Sequence, residues 1–122
     1  MRLHESGEMY LETILILSKK GSVRSIDVSE YMGFSKPSVS RAIGILKKGG
    51  YVKTDADGSL LLTPLGKEKA EKTYERHQLL TAYFIQLGVP EDIAAEDACK
   101  IEHDLNDVTF EAIKKHVRSF QS

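Results

Sequence analysis

Three side chains able to hold a divalent transition metal fall within one short stretch, Cys99-Lys100-Ile101-Glu102-His103. On a helix Cys99, Glu102 and His103 stand at i, i+3 and i+4, so a thiol, a carboxylate and an imidazole share one face of one turn. That donor set suits a borderline or soft divalent ion. By itself the stretch leaves two readings open, because a single cysteine is also an ordinary small core residue. Other candidate donors lie far away in the chain. Met9 and Glu12 are one turn apart near the start, where a gap-filling thioether and a solvated carboxylate are the commonest roles. His77 sits in the middle of the chain, where a satisfied core histidine is the ordinary outcome.

The elements that must position these residues follow from hydrophobic period and punctuation. A first helix is predicted from about Glu5 to Lys20, with Tyr10, Ile14 and Leu17 as its core stripe, closed by Gly21. Ser25 is expected to cap a short helix to Met32, with Val28, Tyr31 and Met32 facing inward and Gly33 ending it. Ser35 then caps a second helix whose first turn contains Pro37 and whose buried stripe is Val39, Ile43 and Leu46. Two short helices around a glycine turn are a helix-turn-helix. Two strands joined by the turn residues Ala56-Asp57-Gly58 follow, at Tyr51–Asp55 and Ser59–Thr63. A hairpin placed there is a wing.

Thr63 and Pro64 open the longest predicted helix, which runs to about Leu87 and carries Ala70, Tyr74, His77, Thr81 and Phe84 along one side. Pro90 starts the next, with Ala94, Ala98, Ile101 and Leu105 as its buried side. A last helix runs from about Thr109 to Phe120 with Phe110, Ile113, Val117 and Phe120 inward. The fold class is therefore mainly α. A winged helix-turn-helix domain over residues 1–70 precedes an α-helical domain over 71–122. That second domain is too small to enclose a core alone, so a symmetric homodimer is expected.

Charge is balanced overall but unevenly placed. From Lys19 to Lys53 there are eight basic residues against two acidic, and from Leu65 onward eight basic against eleven acidic. A basic front joined to an acidic back is the distribution of a nucleic-acid-binding lobe attached to something else. Ser35, Lys36, Pro37, Ser38, Ser40 and Arg41 crowd the start of the second short helix. Hydroxyls there can bind phosphates, and a guanidinium can read guanine in the major groove. Lys53 and Thr54 on the wing are placed for the DNA backbone. One cysteine excludes an internal disulfide framework. No stretch has signal-peptide or membrane-spanning character, so a cytoplasmic protein without a membrane partner is expected.

These residues together resemble the diphtheria-toxin-repressor family of metal-dependent transcription repressors. Glu8-Met9-Tyr10-Leu11-Glu12, Arg76-His77-Gln78-Leu79-Leu80 and the Cys99–His103 stretch carry the resemblance, in this order around a winged helix. The resemblance implies that Met9, Cys99, Glu102 and His103 form the principal site of the iron-type branch, with His77 contributing to an adjacent one. It implies that Glu12 and His77 are ligands in the manganese-type branch. It matches Ser35, Pro37, Ser38 and Arg41 to the recognition helix. Thr81 and Ala95 stand where the iron-type branch carries further ligands and cannot coordinate in the same way. The iron-type SH3-like domain is also missing from this chain.

The expectation is thus a metal-activated repressor that binds palindromic double-stranded operator DNA as a homodimer and has no small organic substrate. Its donors are Met9, Glu12, His77, Cys99, Glu102 and His103. A thioether and a thiolate favour Fe(II), Co(II), Ni(II) or Zn(II) over hard Mn(II), so Fe(II) is the expected ion. A manganese-responsive repressor and a metal-independent winged-helix regulator are the alternatives. A metal-dependent hydrolase would need a separate general base beside a substrate pocket and would leave the basic lobe unexplained.

Overall fold

The computed structural model describes residues 5–119. Its described residues divide into two units, one ending at Lys72 and the other beginning at Thr73. The first unit contains α1 (Glu5–Ser18), α2 (Ser25–Met32), α3 (Lys36–Lys48), β1 (Val52–Thr54), β2 (Leu60–Leu62) and the opening turns of α4 (Pro64–Gln86). Leu11 and Ile14 of α1, Val28 of α2, and Val39, Ile43 and Leu46 of α3 are buried together with Val52 and Leu60 of the strands. The 3.6-residue period of the helices and the paired strands therefore converge on one apolar core.

The bend between α2 and α3 is fixed by two side chains and one backbone conformation. Gly33 takes the left-handed conformation, φ 73°, and its N–H donates to Ser29 O. The buried Ser29 hydroxyl donates to Phe34 O at 2.6 Å. Ser35 then accepts from the Ser38 N–H and caps α3. The expected cap at Ser25 is displaced by one residue. Ser25 is already helical, and the Asp27 carboxylate accepts from the Arg24 N–H at 2.8 Å. Tyr31, expected to face inward, is exposed, because the eight residues of α2 offer too narrow a buried face to cover a ring at its last turn.

β1 and β2 pair antiparallel in the register Val52↔Leu62, Lys53↔Leu61 and Thr54↔Leu60. The Asp55 carboxylate accepts from the N–H groups of Asp57 and Ser59, each at 2.9 Å, and closes the turn. Leu60 N–H donates to Val23 O at 2.7 Å, tying the wing to the loop before α2. At the far side of β2, Thr63 receives Gly66 N–H on its hydroxyl and donates that hydroxyl to Gly50 O. The start of α4 is thereby pinned to the end of α3.

The second unit contains the rest of α4, α5 (Glu91–Ile101) and α6 (Asp107–Ser119). α4 ends in a reverse turn in which Val89 N–H reaches Phe84 O and Gly88 adopts φ 102°. Of the expected side of α4, Ala70 is buried, but Tyr74, His77, Thr81 and Phe84 are only half-buried, and in the second unit the buried positions are Thr73, Arg76 and Leu80, one position away. Ala94 and Ala98 of α5 and Phe110 and Val117 of α6 complete the buried set, while Ile101 is exposed. α6 begins two residues before the expected start because Asn106 Oδ1 accepts from the Val108 N–H at 2.8 Å. The expected inward Phe120 lies outside the described residues. Among the described residues no helix is long and apolar enough to cross a membrane.

Two glycines test this packing in opposite directions. A Cβ on Gly66 would lie 2.0 Å from Tyr51 O, whereas a Cβ on Gly44 would meet nothing within 4 Å. Gly66→Ala is expected to lower unfolding stability by about 1–3 kcal/mol or more in urea titration. Gly44→Ala is expected to raise it by about 0.5–1 kcal/mol in the same measurement.

Candidate metal centre and nucleic-acid interface

The centre of the second unit is a buried carboxylate. Glu102 follows the last residue of α5, and its side chain is 1% exposed. His77 of α4 places Nδ1 2.9 Å from Glu102 Oε2. His103 places Nε2 3.3 Å from Glu102 Oε1. Each carboxylate oxygen therefore faces one imidazole. Burial pushes the Glu102 carboxyl up, but the hydrogen bonds and charges of His103 and His77 outweigh burial and hold it below its ordinary value. Glu102 is therefore an anion at neutral pH in a place where an unpaired charge would be prohibitively costly.

Cys99 lies one turn back on α5 and is half-buried. The expected single helical face is only partly realised. α5 stops at Ile101, Glu102 keeps helical angles as its C-cap, and His103 lies in the turn that follows. The Asp104 N–H bonds back to Ile101 O, a tighter connection than the α-helical one. The turn still delivers the carboxylate and the imidazole to the same place.

The backbone just past α5 is held by Arg76, a residue whose role the sequence does not announce. Its guanidinium donates from one nitrogen to Glu102 O at 3.0 Å and to Leu105 O at 2.7 Å. The other nitrogen pairs with the Asp107 carboxylate at the start of α6. The cation lies 5.0 Å from the centroid of the Phe110 ring. The carbonyls at a helix C-terminus lack intrahelical donors, and here a buried fork supplies them. The available signal was position: Arg76 falls three residues after Thr73 and four before Leu80, both buried, so a charge interrupts an otherwise packed stripe.

The remaining expected donors, Met9 and Glu12, lie one turn apart on α1 in the first unit, and both are half-buried. On the opposite chemistry, Lys36, Pro37, Ser38, Ser40 and Arg41 are all exposed on α3, as is Lys53 on β1. Ser35 is exposed too, but its hydroxyl is committed to the cap and to Ser38 Oγ at 2.9 Å. Its contribution is to set the start of the helix. Lys47 and Lys48, also exposed, end α3 and suit its dipole.

A buried carboxylate between two imidazoles, with a cysteine one helical turn back along the chain, fits a divalent transition ion in donor chemistry. A helix-turn-helix with a hairpin wing, followed by a helical unit built around such a cluster, defines a winged-helix regulator with a metal-binding module. The chain belongs to the iron-dependent repressor family. Its residues 2–60 match that family's N-terminal DNA-binding domain and residues 63–122 its metal-binding and dimerisation domain. This is the diphtheria-toxin-repressor and manganese-regulator group of metal-dependent transcriptional repressors, which are not enzymes.

Among relatives, an uncharacterized HTH-type transcriptional regulator of Methanocaldococcus jannaschii is 28% identical over 98% of each chain. The HTH-type transcriptional regulator MntR of Geobacillus thermodenitrificans is 33% identical over 95% of this chain and 83% of its own. The solved structure of the manganese regulator SloR superposes with a TM-score of 0.83 at 28% identity. It covers 97% of this chain, which spans 55% of the SloR chain.

The depressed Glu102 carboxyl has a pH signature. A group whose folded value is lowered contributes stability above its unfolded value and loses it as pH falls through the folded one. In chelator-treated protein, the urea midpoint is expected to fall on acidification below the ordinary glutamate range. In Glu102→Gln that part of the acid slope should be missing, and equal slopes would contradict the pairing described.

Proposed function

We propose that this chain is an Fe(II)-activated transcriptional repressor that binds palindromic operator DNA as a homodimer in the cytoplasm and controls metal homeostasis. The observation that carries this reading is the buried Glu102 carboxylate set between His77 and His103, one turn from Cys99, in a chain of a metal-dependent repressor family. The proposed ligand set is Met9, Glu12, His77, Cys99, Glu102 and His103, with Met9 and Glu12 assigned on family resemblance and donor chemistry. When bound, a divalent cation would supply positive charge that offsets the carboxylates. Cys99 and Met9 bias the set toward Fe(II), with Zn(II), Co(II) and Ni(II) as binding surrogates.

On DNA, Ser38, Ser40 and Arg41 of α3 face the major groove, Lys36 and Lys53 meet phosphates, and Pro37 presets the first turn. The second unit forms the dimer, supported by the exposed Ile85, Leu87, Ile93, Ile101 and Val108, an apolar content that a solvated monomer surface does not need. Two half-sites on one DNA face, about one helical turn or a multiple apart, follow from that symmetry. Metal affinity and DNA affinity are then coupled reciprocally by roughly 1–3 kcal/mol.

A second reading, Mn(II) in place of Fe(II), is favoured by the manganese-regulator relatives and by Glu12. Anaerobic titration of operator binding against Fe(II) and Mn(II) separates the two, and stronger activation by Mn(II) would sink the soft-donor argument. Glu102→Gln is expected to abolish metal dependence. If the variant keeps that dependence, the Glu102-centred ligand set is wrong; if the unmodified chain never had any, it is a metal-independent winged-helix regulator.

The DNA surface has its own test. Arg41→Ala is expected to cost about 1–3 kcal/mol and to relax discrimination at one base pair. Lys53→Ala is expected to weaken all sequences alike and to lower the salt slope of binding by about one. Electrophoretic or anisotropy measurements over a salt series read both.

A further inference from the structure

We infer that Arg76 and Asp107 form a positioning pair that presets the metal-binding turn before any ion arrives and ties it to α6; this rests on the metal reading of Glu102. The stretch after α5 carries Glu102 and His103 but has no cap of its own. No glycine follows Ile101 in the sequence, and after His103 the next side chains are Asp104, Leu105 and Asn106. Such a turn, left to itself, leaves its carbonyls to water and its side chains without a fixed aim.

Arg76 removes that freedom from inside the unit. Its side chain is 7% exposed, and its two bonded carbonyls, those of Glu102 and Leu105, bracket His103. The backbone on both sides of the second imidazole is therefore held by one planar fork. The fork is held in turn by Asp107, whose side chain is 67% exposed, and by the face of Phe110. Both of these residues belong to the first turn of α6. Displacing the turn therefore displaces the start of α6, and displacing α6 disturbs the aim of Glu102 and His103.

A lysine cannot replace the fork, because a single ammonium lacks the spread of donors that reaches two carbonyls and a carboxylate at once. Asp107 is the better handle, since it is exposed and Asp107→Asn changes only the charge while removing no apolar group from the core. Asp104 is the natural control. It carries the same charge in the same turn, with its side chain exposed and outside the pair.

The experiment compares full-length Asp107→Asn and Asp104→Asn with the unmodified chain in two measurements. The first is amide hydrogen exchange of residues 101–106 in chelator-treated protein. The second is Co(II) titration followed by the thiolate-to-metal absorption that Cys99 would give. Asp107→Asn is expected to exchange faster across the turn without metal and to bind Co(II) about tenfold more weakly or worse, the usual effect of losing an outer partner of a ligand. Asp104→Asn is expected to leave exchange unchanged and to shift Co(II) affinity far less.

Equal behaviour of the two variants in exchange and in affinity overturns the positioning role while leaving the metal site standing. Failure of the unmodified chain to bind Co(II), or equal binding by Glu102→Gln, overturns the metal reading and this inference with it.

Discussion

A carboxylate with almost no access to water governs the second half of this protein. Glu102 is ionised, and an ionised group in that setting persists only if its oxygens are answered. One oxygen meets an imidazole from α4 and the other an imidazole from its own turn. The backbone that carries it is then answered by Arg76, and Arg76 by Asp107 and Phe110. The chain of obligations runs from a charge at the end of α5 to the first turn of α6. Removing Arg76 leaves the Glu102 and Leu105 carbonyls without that donor, and removing Asp107 leaves a buried guanidinium short of one partner, which is why the cluster is better regarded as one object than as a set of contacts.

The first unit answers a different constraint. Its short elements cannot hold their angles by length, so each junction is closed by a specific polar contact. Ser29 closes the bend before α3, Asp55 closes the wing, and Thr63 joins the foot of α4 to the end of α3. The result leaves the outward side of α3 free of structural duties apart from Ser35. Side chains such as Lys36, Ser40 and Arg41 are therefore available for a partner, and their chemistry is that of phosphate and base-edge recognition.

Much of this was legible in the sequence, and the reasons are local. Gly33, Ser35, Pro37 and Thr63 act on their own immediate backbone, so their types and spacing determine where helices begin and end. Val39, Ile43 and Leu46 repeat with the helical period and are buried as that period requires. One failure is local, and the others are where a distant residue decides. Ser25 loses its capping role to Asp27, which reaches back to Arg24. The buried side of α4 contains Arg76 and Thr73, so counting apolar residues points one position away. The Cys99–His103 stretch was recognisable by donor type and spacing, but its helix ends at Ile101 and an arginine from α4 takes the carbonyls beyond it. No pattern inside the stretch itself could report that.

The fork of Arg76 grips carbonyl oxygens at Glu102 and Leu105, and every residue type carries a carbonyl oxygen. The grip on this turn is therefore insensitive to the letters written at positions 104 and 105, provided the arginine, its acidic counterpart and the Asn106 cap persist. Drift in the intervening side chains is cheap, whereas a change at either end of the pair has to be matched at the other. Kinship among such chains is then better traced through two residues separated along the sequence, Arg76 and Asp107, than through the wording of the loop that they hold.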